Sequence, residues 1–187
     1  ASPSNVPNVG GVITSASGGT LVSTGGGTYA GTLSGNLNFI RSGGTATILT
    51  GDNTFTGMTT VRGGALTLQL AGRLSGTSQI VSNFGSLNLD NTTGALWDIP
   101  QRLGTAPISS LGGSVIYTGY PGATSSGSIG VVSLAGGAST FTVTRGGAAN
   151  TAFASLTIDG ITSGVSAGST VNFAAGNGTL GQMNLLG

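Results

Sequence analysis

Four aspartates and five arginines are the whole charged inventory of this 187-residue chain, and any acid–base chemistry must be built from them. The acids are Asp52, Asp90, Asp98 and Asp159. Two carboxylates roughly 5–10 Å apart could cleave a glycosidic bond, and polysaccharide-cleaving enzymes on β-helical scaffolds exist. Here the acids are dispersed: even the nearest two, Asp90 and Asp98, stand eight residues apart, and no His or Lys is available as a partner. Asp52 and Asp90 each precede an asparagine, which suits short polar side chains that close turns. Turn duty is therefore expected of them, and no catalytic residue and no enzyme activity are assigned. Calcium is the other use for such oxygens. Asp52-Asn53 and Asp90-Asn91 could meet on stacked coils, yet no Asp-rich loop spacing accompanies them, so neither a metal nor a cofactor is expected. The chain lacks cysteine, which removes disulfides and thiolate sites. Its net charge of +1 leaves no electrostatic footprint for nucleic acid. No apolar run reaches the ~18 residues of a membrane span, so no membrane insertion is expected.

The remaining polar motifs read as architecture. Arg41-Ser42-Gly43-Gly44, Arg62-Gly63-Gly64 and Arg145-Gly146-Gly147 flank strand-like runs, and they predict corner turns with the arginine exposed. Gly25-Gly26-Gly27 has neither the lysine nor the following helix of a phosphate cradle. Asn91-Thr92-Thr93 and Asn177-Gly178-Thr179 fit the N-glycosylation pattern, which makes Asn91 and Asn177 candidate acceptors. Trp97, Tyr117 and Tyr120 are candidates for a ligand platform that would take glycans. The competing role for such aromatics is to pack a loop onto the core.

The elements that must position these residues are strands. Glycine numbers 37, about a fifth of the chain, and charged residues are only 5%. Glycines interrupt every helical window of about ten residues. Between them lie short alternating runs, including Ala46–Leu49, Ala65–Leu70, Ser86–Leu89, Ser114–Tyr117, Thr140–Thr144 and Ser155–Ile158. In Ala65–Leu70, Leu66, Leu68 and Leu70 should face one way and Thr67 and Gln69 the other. That regularity argues against disorder. Segments with an aromatic two residues before a glycine, Gly27–Gly31 and Asn53–Gly57, repeat weakly at about 20 to 26 residues, a solenoid-like period. The expected fold is all-β, a parallel β-helix or solenoid with glycine-rich corners. The alternative is a β-sandwich with strand exchange. The expected organisation is an extended, proline-punctuated arm over 1–11, a β-strand repeat region over 12–93 and an irregular loop over 94–110. The β region over 111–187 either continues the same core or forms a small second domain.

The stretch Ile48–Leu70, ILTGDNTFTGMTTVRGGALTLQL, resembles the autotransporter-associated β-strand repeat, approximately LTGxNTYTGxTTVxGGTLxL. Phe55 stands where that pattern has Tyr, and Ala65 where it has Thr. The clear resemblance is confined to this stretch and extends loosely through Asp90. It implies a parallel β-helix, export to the bacterial surface and a role in adhesion or extracellular structure. The family's C-terminal membrane barrel has no counterpart here, and the first residue is Ala1. A passenger fragment or a processed, stand-alone secreted subunit is therefore expected.

So neutral a chain is suited to association, since charge is what ordinarily keeps molecules apart. The expected function is that of a structural subunit of a secreted surface or extracellular filament. Its partner would be further copies of itself, joined head to tail through strand edges. The arm would add a second linkage, with Val6, Val9, Val12 and Ile13 as anchors. A carbohydrate- or host-binding adhesin is the alternative.

Overall fold

The computed structural model describes residues 10–93, 95–147, 153–162 and 167–177. The chain is all-β, and every strand ladder among these residues is parallel. Strands alternate between two seven-stranded sheets. The first holds β1 (Val12–Ser23), β3 (Thr32–Ser42), β6 (Thr59–Arg62), β9 (Ile80–Asn83), β11 (Ile108–Ser110), β14 (Val132–Leu134) and β17 (Ile161–Thr162), in that order. The second holds β2 (Gly27–Tyr29), β4 (Ala46–Leu49), β7 (Ala65–Leu68), β10 (Ser86–Asp90), β12 (Gly113–Thr118), β15 (Ala138–Thr144) and β18 (Thr170–Ala175). Two shorter pairs stand apart: β5 (Asp52–Asn53) with β8 (Arg73–Leu74), and β13 (Ser125–Ile129) with β16 (Ala154–Ile158). Each return to a sheet places the new strand beside the previous one in that sheet. Apart from the pair β13 and β16, the strands of 111–177 thus continue the two seven-stranded sheets begun within 12–93.

Side-chain alternation with parallel registry turns the core into columns. In the first sheet, Leu21, Phe39, Thr59, Ile80, Ile108, Val132 and Ile161 are successive neighbours. In the second, Gly27, Thr47, Leu66, Leu87, Val115, Phe141 and Phe173 are. The circuits from Phe39 to Thr59 and from Thr59 to Ile80 are nearly equal in length, and the one from Ile80 to Ile108 is longer. The longer circuit accommodates the segment around Trp97, which forms a single 3-10 turn over Ala95–Trp97. The irregular stretch expected to reach residue 110 ends at Pro107, because Ile108 already pairs with Ile80.

Two corners depart from the sequence reading. Leu70 does not continue the inward face of Leu66 and Leu68. The strand ends at Leu68, and Leu70 turns the chain with a φ of 53°, half-buried. The corner between the two sheets carries Gly63-Gly64 and Gly112-Gly113 with positive φ on both residues. On the intervening circuit, Phe84 occupies that place with a φ of 60° and stays 74% exposed.

Asn53 holds the next corner. It is fully buried, receives a hydrogen bond from the Leu33 backbone N–H (3.0 Å), and donates to the carbonyls of Gly51 (2.7 Å) and Arg73 (3.0 Å). One amide thus joins three circuits and satisfies the Leu33 N–H and the Arg73 carbonyl, while the Gly51 carbonyl accepts from the Arg73 N–H as well. Asn53→Ala should cost about 3 kcal/mol, because the buried Leu33 N–H and the Arg73 carbonyl lose their partner and the Gly51 carbonyl keeps only its bond from the Arg73 N–H. A urea-unfolding midpoint unchanged by the substitution would show that water replaces the amide.

Candidate functional site

Two arginines point inward, Arg41 by period-two alternation in β3 and Arg102 from a turn of the long circuit. Arg41 follows Leu37 and Phe39 on the core-facing side of β3 and is fully buried, beside Val61 in the next strand. Its Nε donates to Ala65 O (3.2 Å), its Nη1 to Ser23 O (2.7 Å) and Ser42 O, and its Nη2 to Thr45 O and Thr45 Oγ1 (3.2 Å). The expectation of exposed corner arginines therefore fails at Arg41. It holds at Arg62, while Arg145 is half-buried. The reason is registry: the column below Ser23 faces the interior, and the guanidinium brings five donors to the inward carbonyls there.

Arg102 repeats the device in the long circuit. Its Nε donates to Asn91 Oδ1 (2.7 Å), Nη1 to the carbonyls of Leu70 and Gly72, and Nη2 to those of Asp90 (3.0 Å) and Trp97 (2.8 Å). All five donors of a guanidinium are used. Burial pulls its pKa down to about 10, while the charges of Asp90 and Asp98 act in the opposite direction, so it stays cationic at neutral pH. Asn91 in turn donates to Asp98 Oδ1 (2.8 Å) and lies 3.3 Å from the Tyr117 hydroxyl. That hydroxyl is 2.6 Å from Ser125 Oγ, which also donates to Asp98. Burial raises the Tyr117 pKa above the usual phenol range. Apart from the half-buried Asp98 and Trp97 the network is buried, so its work is to pin this excursion of the long circuit to the sheets.

This geometry corrects three assignments. Asn91 is buried and every polar atom of its amide is engaged, so a glycan cannot be attached there in the folded chain. Asn177 is exposed, with its amide bonded to the Arg145 backbone in both directions (2.8 and 2.9 Å). Tyr117 sits in the column of Leu68 and Leu89 with 1% exposure, and so cannot join Trp97 and Tyr120, both half-buried, in a surface platform. The two Asp-Asn pairs are not stacked either. Asp52 and Asn53 form β5, whereas Asp90 ends β10 in the second sheet. Asp90 does serve its turn, its Oδ1 accepting from the Thr92 N–H (2.8 Å) and Oγ1 (2.6 Å).

The surfaces left open are the two ends of the sheets. Among the described residues nothing pairs with the outer edges of β1 and β2 at one end or β17 and β18 at the other. No family model, curated protein or solved structure matches the chain. Val6 and Val9 lie outside the described residues. Val12 and Ile13 belong to β1 rather than to a free arm, and they are 67% and 38% exposed. Behind them lies an apolar hollow of about 250 Å³, lined by Leu21, Tyr29, Leu33, Phe39 and Leu49 among others. Alternation alone points to Phe39 and Leu49 as core residues. They are covered by Leu21 and Tyr29, whereas Gly27 supplies no side chain above Thr47.

Proposed function

We propose that this chain is a structural subunit of a secreted bacterial surface or extracellular filament, a parallel β-helix that polymerises head to tail through its strand edges. One observation carries the reading: the four outermost strands, Val12–Ser23, Gly27–Tyr29, Ile161–Thr162 and Thr170–Ala175, contain no charged residue and no proline. Soluble proteins ordinarily blunt such edges with charge, proline or a covering element. A parallel stack has different edges at its two ends, so their union is heterologous and propagates without closing. The resemblance of Ile48–Leu70 to the autotransporter-associated repeat supports the same architecture and location. Negative-stain electron microscopy with light scattering across a concentration series tests the reading. Long uniform filaments are expected, and stable monomers at every concentration would overturn it.

The arm supplies the second linkage. Gly10 and Gly11 are fitted to the chain's own first circuit: the Gly11 carbonyl accepts from the Thr32 N–H (3.1 Å) and the Tyr29 hydroxyl (2.8 Å). The part proposed to reach a neighbour is therefore Ala1–Val9, with Val6 and Val9 as its anchors. Removing Ala1–Val9 should leave folded monomers that form no fibres. Fibres of normal length and yield from the shortened chain would eliminate the arm from assembly.

A further inference from the structure

The geometry points to a knob-and-hole joint between copies, in which Phe173 at the trailing end of one chain fills the apolar hollow beside Gly27 at the leading end of the next. This rests on the filament reading above and assigns its contact. The inward column of the second sheet begins at Gly27 and ends at Phe173. Its first position is thus empty of side chain, and its last is as bulky as any apolar residue of the column. Phe173 is half-buried, stacked on Phe141 with ring centroids 5.8 Å apart, in the last strand of its sheet.

A second copy added one strand spacing beyond β18 continues the column, with its Gly27 beside Phe173 and its Tyr29 beside Ala175. Its hollow, whose accessible rim includes Leu21, Val22 and Tyr29, then opens onto the phenyl ring. The same displacement sets Leu21 of the second copy beside Ile161, so both sheets continue apolar on apolar. Neither end face carries a charge on its strands, so no like-charge contact opposes the approach. An aromatic ring at an interface buries roughly 150–250 Å² and fixes register, because a slip of one residue turns it to the solvent side.

The chain has no cysteine, so single thiols report the joint cleanly. In the proposed register Thr28 of one copy lies beside Ala174 of the other, and neighbouring parallel strands hold Cα atoms within disulfide reach. Full-length Thr28→Cys chains carrying a tag, mixed with untagged Ala174→Cys chains and oxidised, should give mainly the mixed dimer. Phe173→Ala should slow filament elongation at least tenfold while the far-ultraviolet spectrum is unchanged. Should that variant fail to fold, the cross-link, which keeps Phe173, decides. Filaments that grow at the normal rate from Phe173→Ala, without mixed cross-links, would overturn the joint and leave the filament reading standing. Absence of any assembly by the unaltered chain would overturn both. A mixed cross-link that appears only after Ala1–Val9 is removed would mean that this segment occupies the hollow, and would also overturn the joint.

Discussion

Arg102→Met should lower the stability of the fold by about 4 kcal/mol, with the damage beginning in the 91–107 excursion. Methionine fills much of the same volume but leaves the carbonyls of Leu70, Gly72, Asp90 and Trp97 and the amide oxygen of Asn91 without their donor. Each buried polar group so orphaned costs roughly 1–3 kcal/mol unless water reaches it, and partial wetting of this near-surface excursion keeps the total below the simple sum. Asp98 would also lose a nearby compensating charge. Arg102→Lys should recover only part of the loss, since an ammonium brings three donors to five acceptors. Trp97 is the sole tryptophan and its carbonyl is one of the five acceptors, so its emission reports the site directly. A red shift at denaturant concentrations below the main transition is expected in the methionine variant. Coincident, unshifted transitions would mean that the excursion holds without the guanidinium.

Gly64→Val should prevent the chain from folding at 37 °C. The residue has a φ of 60°, and an added Cβ would come within 3.0 Å of the carbonyl oxygens of Gly43 and Thr45 on the preceding circuit. A β-branched side chain is strained in the left-handed region in its own right. The clash is with backbone, so relief requires the two circuits to part. That would remove the Ala65 N–H to Thr45 O bond (3.2 Å) and disturb the bonds of Arg41 to Thr45 and Ala65. A loss of more than about 4 kcal/mol is the expectation for so combined a defect. Gly44→Ala is the contrast. Nothing lies within 4 Å of its added Cβ and its φ is not positive, so stability should change by no more than about 0.5 kcal/mol. Circular dichroism melts of the two variants distinguish a demand for glycine at each corner residue from a general preference for small residues. Equal melting temperatures would refute the distinction.

Alternation and glycine spacing are enough to establish that the chain is all-β and where most of its strands run. Alternation is a local property, legible in a window of about five residues. It marks Leu66, Leu68, Leu87 and Leu89 as inward-facing because those side chains need only to escape water. The weak repeat is not the circuit itself: Tyr29 pairs with Leu49, and Phe55 lies beside the chain near Leu33 and Gly35, although circuit length is nearly constant from Phe39 to Thr59 to Ile80. The fate of the polar and aromatic residues that share the inward face is settled only by the folded chain. Arg41, Asn91 and Tyr117 read locally as surface groups, because a charged or amide side chain is costly to bury alone, and Arg102 carries no local signal at all. Some of their partners are close in sequence, but others lie on other circuits, Ser23 for Arg41, Leu70 for Arg102 and Asn91 for Tyr117, and no local pattern brings those groups together. Registry does so, by stacking positions one circuit apart. The same registry sets Gly27 at one end of a column and Phe173 at the other, a pairing with meaning only once each strand's place in the sheet is known.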